Sequence, residues 1–378
     1  MKLMFIGARL FEDVALYTEK HGITSVLTES NPDAPNQDLA DVLHLVPRGM
    51  EGPKTVAIKE DVDGVVPLIG VDGPLLSLSS LKKDLEENYG IPVVTSPLKA
   101  SSIAQNKYKT KKFLLENNLP TPPFQLINMD LSESHFNFPM VLKQGHGQGG
   151  VGIEVVNNHH EMIEYLEKFG NALAEDFVDG IEISVEVLGW KGDHIPLVPV
   201  YKGKTSPDGK HPLFKVKKSP LEIDGIDNST NNEMIRELAL KICRLMGVEG
   251  SADLDLIFDG EKNLVLEINT RPSGTRYLTA ASCNINPLQE MVDMATGKWK
   301  SEQVQKNIKD YFAMEVPVGD FSTKRNSYLY RSFEESHGWI IHGPPHHQRI
   351  TIRGETKKSV LKIAQSLKLP SLIEEPLY

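Results

Sequence analysis

Acidic side chains stand in two neighbouring segments whose apolar residues alternate with polar ones. In the first segment Asp253 and Asp255 alternate with apolar residues, and in the second Glu267 and Asn269 do the same. This alternation is typical of two β-strands, and the Asp-Gly-Glu-Lys-Asn sequence between them is typical of a turn. If the hairpin closes around Glu261, Asp255 lies opposite Glu267 and Asp253 lies opposite Asn269. Directly opposed Cβ atoms are about 4.5–5.5 Å apart, so we expect the two carboxylates to share one site.

The opposed carboxylates predict a metal site. Two carboxylates that close repel each other unless a cation lies between them or one of them stays protonated. Oxygen ligands without histidine or cysteine are those that Mg²⁺ prefers. Arg271 and Arg276 follow in the sequence, and a planar guanidinium suits anionic oxygens beside such a metal. The alternative is a solvated acidic strand face with ordinary salt bridges, which explains the matched register of two strands poorly.

A glycine-rich loop at residues 145–152 reads Gly-His-Gly-Gln-Gly-Gly-Val-Gly and is followed by a strand pattern. A dinucleotide fingerprint should instead run from a strand into a helix. We therefore interpret the loop as a hairpin turn whose backbone N–H groups cover phosphates, with Gly147, Gly149 and Gly150 as candidate contacts. Lys143, two residues before the loop, could reach the phosphates as a point charge. The alternative is a flexible surface hairpin with a solvated lysine.

The first hundred residues alternate strand and helix patterns, which predicts a parallel sheet covered by helices. Ligands usually bind at the carboxyl ends of such strands. Gly7, Arg9 and Asp72 are therefore candidate substrate contacts, although Gly7 alternatively only turns the chain and Arg9 alternatively is solvated. The predicted strands are 3–6, 23–27, 65–69 and 91–94, and the predicted helices are 11–20 and 75–89.

A proline-rich segment at 119–123 follows a predicted helix at 101–117 and marks a boundary. Short strand patterns around the glycine-rich loop predict a small lid-like subdomain. We predict domains at residues 1–118, 119–178 and 179–378. The further predicted strands are 140–143, 153–156, 181–188, 194–201, 252–258 and 264–268, and the further predicted helices are 160–169, 232–246, 287–295 and one ending near residue 367.

The chain has 378 residues, of which 40% are hydrophobic, and a formal net charge of −10 from 41 basic and 51 acidic side chains. This balance disfavours a nucleic-acid-binding protein, which usually carries a clustered basic surface. Cys243 and Cys283 cannot build a disulfide framework or a zinc ribbon. No stretch approaches the roughly 18 apolar residues of a membrane helix, and the first residues do not form a signal segment. We expect a reduced, cytoplasmic setting without a membrane partner.

The order of these elements resembles the ATP-grasp superfamily from the N-terminus to about residue 298, and more weakly beyond it. An Asn-Lys pair opens a helix that ends in Asn-Leu-Pro-Thr-Pro, and Pro-Met-Val-Leu-Lys follows with its glycine loop. Next come Ala-Leu-Ala-Glu-Asp-Phe-Val-Asp-Gly-Ile-Glu and Leu-Val-Leu-Glu-Ile-Asn-Thr-Arg-Pro. The resemblance implies an α/β protein, α+β in its ATP-binding part. The implied ATP-grasp fold has an N-terminal Rossmann-like domain, a small lid subdomain and a C-terminal antiparallel-sheet domain.

The resemblance also implies which residues bind the nucleotide. Lys107 and Lys143 match the two lysines that contact ATP, with Lys109 as a rival for Lys107. The backbone of a hinge would read adenine, and an acid would bind the ribose. The residues that match the hinge and the ribose-binding acid are Glu175, Phe177, Val178 and Glu182.

Metal and catalytic roles follow from the same resemblance. Asp255, Glu267 and Asn269 match the ligands of two magnesium ions, with Mn²⁺ as an alternative metal. Arg271 matches the arginine that steadies the acyl phosphate or tetrahedral intermediate. The implied catalytic residues are Arg271, Lys143 and Asn269.

Within the superfamily the chain resembles single-chain relatives of the carbamoyl-phosphate synthase large subunit and the pyrrolysine-pathway amino-acid ligase. This implies an ATP- and Mg-dependent ligase that phosphorylates a carboxylate and passes the acyl phosphate to an amine. The implied partners are small-molecule carboxylate and amine substrates, an amino acid or short peptide among them, and a second copy of the chain in a homodimer.

Several alternatives stay open. A carbamoyl-phosphate-synthase-like enzyme is disfavoured because only one ATP-grasp unit and no glutaminase segment are present. A carboxylase-type enzyme is disfavoured because a biotin carboxylase would normally carry a longer C-terminal domain. A non-catalytic ATP-binding regulator would not need the full set of catalytic residues. A nicotinamide dehydrogenase is disfavoured because Gly-Ala-Arg-Leu, not G-x-G-x-x-G, follows the first strand.

Two further polar clusters have no assigned role. The segment 201–219 is either a loop that closes over an anionic substrate or a mobile solvated loop, and it holds lysines 202, 204, 210, 215, 217 and 218. His342, His346 and His347 lie in His-Gly-Pro-Pro-His-His, which we interpret as a plain loop because its glycine and prolines mark a turn.

Overall fold

The computed structural model describes residues 1–131, 136–147, 152–205, 215–319, 336–343 and 346–369. Three sheets organise these residues: a parallel sheet near the N-terminus, a small antiparallel sheet and a large antiparallel sheet. The predicted α/β class is confirmed. The domain boundaries after residues 118 and 178 stay predictions.

The N-terminal sheet is parallel, with strand order β3–β2–β1–β4. Its strands are β1 (Lys2–Ile6), β2 (Thr24–Glu29), β3 (Val42–Leu45) and β4 (Gly64–Pro67), and its helices are α1 (Glu12–Lys20), α2 (Glu51–Lys59) and α3 (Leu75–Tyr89). A short 3₁₀ helix spans Gln37–Leu39. The central strand β1 is apolar and buried because helices cover both faces of the sheet.

The sequence patterns missed β3 and α2 of this sheet. β3 is an edge strand whose Leu43 and Leu45 are exposed, so its apolar residues do not mark a buried face. The strand predicted at 91–94 is wrong, because Val93 forms only a single parallel bridge to Val65. β3 was therefore missed because it lacks the run of buried apolar residues that marks β1, β2 and β4.

The small sheet has strand order β5–β8–β6–β7 and is antiparallel. Its strands are β5 (Phe124–Asn128), β6 (Met140–Lys143), β7 (Ile153–Val156) and β8 (Asn171–Asp176), with α6 (His159–Phe169) packed on one face. A 3₁₀ helix spans Met129–Leu131. Strands β6 and β7 are the two arms of the predicted glycine-loop hairpin.

The helix predicted at 101–117 is wrong, because the chain forms two helices there. These are α4 (Leu98–Ala104) and α5 (Lys107–Glu116). Asn106 breaks the helix with an extended backbone, and its side chain accepts a hydrogen bond from the Lys109 N–H at 2.9 Å. Asparagine suits this N-cap because its oxygen satisfies an otherwise unpaired N–H. The break makes Lys107 the first residue of α5.

The large sheet has the order β14–β13–β9–β11–β12–β15–β17–β16, and β10 also pairs with β9. Its first strands are β9 (Ile181–Trp190), β10 (Asp193–Pro196), β11 (Val200–Lys204), β12 (Lys217–Ser219), β13 (Gly250–Phe258) and β14 (Asn263–Asn269). The strand predicted at 194–201 is two strands, β10 and β11, which lie one after the other along the same edge of β9. Helices α7 (Asn228–Met246), α8 (Arg276–Cys283), α9 (Pro287–Ala295) and α10 (Ser301–Asn307) complete this part.

The C-terminal residues extend the large sheet. They form β15 (Phe312–Gly319), β16 (Gly338–His342), β17 (Gln348–Gly354) and α11 (Lys357–Ser366). β15 pairs with β12, which brings this region next to the segment rich in lysine. His342 lies on a strand and is buried, so the plain-loop interpretation is wrong for that histidine.

In the described ranges, every helix is too short or too polar to cross a lipid bilayer.

Candidate active site

The hairpin β13–β14 brings the predicted acidic residues together. Asp255 pairs with Glu267 and Asp253 pairs with Asn269, as the sequence pattern indicates. The strand register shifts between Asp255 and Leu256, because Phe258 pairs with Asn263 across a four-residue turn. This shift is a β-bulge, and because of it Asp255 lies opposite Glu267 although the turn is centred differently from the predicted one.

Each of the two opposed carboxylates contacts a lysine. Lys202 Nζ lies 2.5 Å from Asp255 Oδ1, and Lys107 Nζ lies 2.6 Å from Glu267 Oε1. Although burial alone would lower it, the carboxylates of Asp255 and Asp253 raise the pKa of Lys202. Lys202 therefore stays a cation, and two ammonium groups offset the repulsion that the opposed acids would otherwise suffer.

Asp253 lies behind this pair and is only 5% exposed. Its carboxylate accepts a hydrogen bond from the Ser184 hydroxyl at 2.6 Å. Burial, and then the neighbouring charge of Asp255, raise its pKa. The partner of Asp253 across the hairpin, Asn269, is also buried, and its Oδ1 accepts a bond from Arg271 at 3.4 Å.

Arg271 is fixed at the end of β14 by the N-terminal part of the chain. Its Nε forms an ion pair with Asp72, which follows β4. Asp72 is thus a partner of Arg271 rather than a free acid. Because Arg271 lies in the loop 270–275 between β14 and α8, this contact links the N-terminal sheet to the site.

The buried side chain of Glu186 holds the same loop from below. It accepts a hydrogen bond from the Ser251 hydroxyl at 2.7 Å and one from the Ser273 N–H at 3.3 Å. Burial raises the pKa of Glu186 to about 7. Sequence analysis missed this residue, since nothing in the strand pattern distinguishes it from other polar positions.

Lys143 and Glu175 lie on the small sheet, above the hairpin. Glu175 is 2% exposed and contacts Lys143 Nζ at 2.9 Å and Lys111 Nζ at 2.9 Å. Burial alone would raise the pKa of Glu175, but the two ammonium groups hold it below its usual value. Burial also lowers the pKa of Lys111 to about 8. Lys111 was missed because it reads as one of several lysines on a helix.

The proposed hinge and ribose residues line the same cavity. Phe177 donates its N–H to the Pro139 carbonyl at 3.3 Å, and Val178 follows it along the wall. Glu182 contacts Lys215 Nζ at 3.0 Å. The Gly147 carbonyl accepts a bond from Lys107 Nζ at 3.1 Å, whereas Gly149 and Gly150 lie outside the described residues.

Lys107 and Lys109 face different directions. Lys107 lines the cavity, while Lys109 Nζ donates to Ser102 Oγ at 2.9 Å outside it.

A second charged cluster at the cavity wall comes from the C-terminal strands and was missed. Glu315 contacts Lys217 at 2.6 Å and Arg349 at 3.4 Å, and His342 Nε2 lies 3.4 Å away. Burial alone would raise the pKa of Glu315, but Arg349 and Lys217 lower it to about 2. The lysine-rich segment therefore is not only a solvated loop, since Lys202, Lys215 and Lys217 line the cavity; residues 206–214 lie outside the described part.

Many of these side chains line one cleft with a volume of about 1120 Å³, among them Lys107, Lys143, Lys202, Asp255 and Glu267. The hairpin β13–β14 forms its floor, the small sheet forms one wall, and the carboxyl ends of β1 to β4 form the far wall. The cleft therefore gathers residues from all three sheets.

The oxygen ligands on the floor fit a divalent cation such as Mg²⁺. Two carboxylates and the Asn269 amide converge there, and each carboxylate already contacts a cationic group. Among the described residues no set of three or more histidine, cysteine or acidic side chains is arranged to hold a metal. An oxygen-only set that includes an amide is the kind that Mg²⁺ accepts, with water and phosphate oxygens completing its shell.

The chain is similar to known proteins over nearly its whole length. A family model described as an ATP-grasp domain matches residues 104–275. A Methanobrevibacter smithii protein named carbamoyl-phosphate synthase is 42% identical over 371 residues, which are 97% of this chain and 100% of that protein.

Solved structures share the fold. The L-amino acid ligase of Bacillus licheniformis has a TM-score of 0.72 at 19% identity, and the match covers 97% of this chain and 96% of that one. The biotin carboxylase domain of Hydrogenobacter thermophilus 2-oxoglutarate carboxylase, solved with Mg-ADP, ADP and bicarbonate, has a TM-score of 0.74 at 18% identity. That match covers 97% of this chain and 89% of the other. The expected ATP-grasp fold is confirmed, and the dehydrogenase alternative is excluded. The chain belongs to the ATP-grasp family and is an ATP-dependent ligase.

Proposed function

We propose that the enzyme phosphorylates a carboxylate and joins it to an amine as an amide, with an amino acid or short peptide as substrate. The observation that carries this proposal is the extent of the cleft, about 1120 Å³, which runs from the acidic floor to the N-terminal sheet. Sites for one small ligand usually measure about 300–1000 Å³. The cleft therefore has room for an organic substrate beside the nucleotide.

The floor residues would hold the metal. Asp255, Glu267 and Asn269 are the proposed ligands of two Mg²⁺ ions. Mn²⁺ is the alternative metal for the same ligands. When bound, the metal offsets the negative charge of the phosphates. In this structure Lys107 forms an ion pair with Glu267, and Lys202 forms one with Asp255. Binding of the metal and ATP therefore requires both ammonium groups to turn from these carboxylates to phosphate oxygens.

The wall of the small sheet would hold the nucleotide. Both side-chain oxygens of Glu175 are engaged by lysines, so adenine recognition at Glu175, Phe177 and Val178 would use the backbone. Lys143 lines the cleft as well as contacting Glu175, so its ammonium group would also be able to contact the phosphates of ATP. Glu182 would have to release Lys215 to accept the ribose hydroxyls.

The proposed reaction has two steps. A substrate carboxylate oxygen forms a bond to the terminal phosphorus of ATP while the bond to ADP breaks. The amine nitrogen then bonds to the acyl carbon, loses a proton, and inorganic phosphate leaves. Arg271, held in place by Asp72, would stabilise the negative charge on the acyl oxygen.

A second candidate uses bicarbonate as the carboxylate. It is favoured by the relationship to the M. smithii protein, whose name is carbamoyl-phosphate synthase and whose full length is covered. The presence of a single ATP-grasp unit therefore does not count against this candidate, contrary to the sequence-based expectation. In this case the activated acid would be carboxyphosphate, and ammonia or an organic amine would receive the carboxyl group.

The test is ADP release from Mg-ATP with pairs of amino acids, measured with and without bicarbonate. For an active pair, an ¹⁸O-labelled carboxylate should transfer one ¹⁸O atom to phosphate, and mass spectrometry should detect the amide. Arg244→Gln, at an exposed helix position away from the cleft, is the matched control for Arg271→Gln. Turnover that requires bicarbonate and yields no amide from any pair would replace this proposal with the second candidate.

A further inference from the structure

The far wall of the cleft has a charge pattern that the nucleotide site does not explain. The carboxyl ends of all four strands of the N-terminal sheet line this wall. Arg9 follows β1 and Arg48 follows β3, and both side chains are exposed to the cleft. Within the residues that the structure describes, neither guanidinium has a carboxylate within ion-pair distance.

Other cationic side chains of the cleft do have such partners. These pairs are Lys107 with Glu267, Lys143 with Glu175, Lys202 with Asp255, Lys215 with Glu182, Lys217 and Arg349 with Glu315, Arg271 with Asp72, and Arg276 with Asp13. The chain as a whole has an excess of acids, with a net charge of −10. A shortage of carboxylates therefore does not explain why Arg9 and Arg48 form no ion pair among the described residues.

Glu29 lies at the end of β2, between the two arginines, but its oxygens are engaged elsewhere. Oε2 accepts the Ala8 N–H at 2.9 Å, and Oε1 accepts the Ser30 N–H at 2.7 Å and the Asn31 N–H at 2.9 Å. Burial alone would raise the pKa of Glu29, but these backbone bonds lower it. Glu29 thus holds the ends of β1 and β2 together, and it forms no ion pair with Arg9 or Arg48 among the described residues.

The backbone that carries Arg9 is fixed. The Arg9 carbonyl accepts a hydrogen bond from the Asn36 amide at 3.2 Å. β2 separates β1 from β3, so the two strand ends are roughly 10 Å apart at about 4.8 Å per strand spacing. Two arginine side chains at that separation can reach one anionic group between them.

Apolar side chains also line the part of the cleft that the N-terminal residues form. Leu10, Met50, Ile69 and Val71 line this stretch. The activated carboxylate must lie near Asp255, Glu267 and Arg271, which leaves the N-terminal side for the amine. A ligand that spans from the floor to this side would therefore meet the reacting centre, apolar side chains and two cations.

We infer that the amine substrate carries an anionic group, a carboxylate or a phosphate, which Arg9 and Arg48 bind together. The inference rests on the proposed amide-forming function and narrows its substrate class. It predicts that neutral amines are poor substrates, because they would make no charged contact with the two guanidiniums.

The first experiment measures binding without turnover. Phenylglyoxal, which modifies accessible arginines, is applied to the full chain with Mg-ADP, and each arginine is followed by peptide mass spectrometry. Arg9 and Arg48 should react faster than ion-paired Arg271. A mixture of amino acids should slow both at least threefold if the group is a carboxylate, and glycerol phosphate should do so if it is a phosphate. The amides of the same amino acids should not protect. Absence of protection by both anions overturns the inference.

The second experiment uses the best amine found by ADP release and its neutral analogue. The wild-type kcat/KM should favour the anionic amine by about 10–100-fold. In the Arg9→Gln/Arg48→Gln variant this preference should disappear, while the thermal shift with Mg-ATP stays as in the Arg244→Gln control. An equally good neutral amine, or a preference that survives in the double variant, overturns the inference but leaves amide formation standing. Conversely, if no amine is used at all, amide formation fails, and the protection experiment still decides whether the arginines bind an anion.

Discussion

Lysine–carboxylate pairs occur both under the small sheet and on the floor of the cleft, and the two regions differ in burial. The Glu175 side chain is 2% exposed, and its partners Lys111 and Lys143 are 1% and 11% exposed. On the floor, Asp255 and Glu267 are 20% and 30% exposed, and each contacts one lysine. The first group is almost closed to solvent, although Lys143 borders the cleft, while the second group is more exposed and opens onto it.

This difference separates structural charges from exchangeable ones. A buried ion pair that loses one partner leaves a charge without compensation in a poorly solvated place. A pair at the edge of a cleft can separate, because water, metal or phosphate replaces the lost partner. We therefore expect changes under the small sheet to affect folding first, and changes on the floor to affect catalysis first.

The largest expected effect is on stability. Glu175→Gln should reduce the free energy of unfolding by about 3–5 kcal/mol, because Lys111 and Lys143 then lose their shared counter-charge. Chemical denaturation measures it. Glu175→Gln/Lys111→Met should recover much of the loss, since one buried cation is removed as well. Glu116→Gln, in the exposed Lys112–Glu116 pair, is the control and should hardly change the curve. Equal stability of Glu175→Gln and this control would contradict the structural role.

On the floor, Glu267→Gln should lower the rate of ADP release at least 100-fold and leave the unfolding curve nearly unchanged. Replacing an outer-shell partner of a metal ligand typically costs about 10–100-fold, and a direct ligand should cost more. The measurement is initial-rate kinetics over a range of Mg²⁺ concentrations. Near wild-type rates at any Mg²⁺ concentration would show that Glu267 is not a metal ligand. A large loss of stability would contradict the proposed difference between Glu267 and Glu175.

The sequence predicted the floor well, because its information is local. Alternation and a turn determine that Asp255 opposes Glu267, and a bulge compensates for a turn that is centred differently from the prediction. The partner of Asp255 could not be predicted in this way. Lys202 reaches it because β9 lies between β11 and β13, and strand order is a property of the whole fold.

The C-terminal contribution was even less accessible to sequence analysis. Glu315 meets Lys217 only because β15 pairs with β12, almost a hundred positions earlier. The glycine and two prolines of the histidine motif predict a turn, and this pattern gave no sign that His342 itself ends a strand. The family resemblance identified residues that lie in shared motifs. Residues such as Glu186 and Glu315, whose contacts depend on strand order, lie in no recognisable sequence pattern.

The Glu315 cluster extends the comparison to a buried group that contains a histidine. Burial lowers the pKa of His342 well below its usual value of 6.5, so its folded form stays neutral while the unfolded form takes up a proton below that pH. Stability should therefore fall as the pH drops through 6.5. A second loss should follow between about pH 4.5 and 2 as Glu315, whose pKa is lowered from 4.5 to about 2, becomes protonated.

Thermal unfolding between pH 7 and pH 5 measures the histidine contribution. His342→Gln should lose less stability over this range than the wild type, by up to about 2 kcal/mol, since one pH unit corresponds to about 1.4 kcal/mol. His160→Gln, at an exposed helix position, is the control. Parallel pH curves for wild type and His342→Gln would show that the buried imidazole does not set the acid sensitivity.

The smallest expected effect distinguishes two lysines that lie two positions apart on α5. Lys107 contacts Glu267 and faces the cleft, so Lys107→Met should weaken Mg-ATP binding by roughly tenfold through loss of one charged phosphate contact. Lys109 donates to Ser102 instead, and Lys109→Met should change that affinity less than about twofold. Titration calorimetry with Mg-ATP gives both values on folded protein. The reverse order would mean that α5 presents its other face to the nucleotide, and the exchangeable pair on the floor would then have to be Asp255 with Lys202 alone.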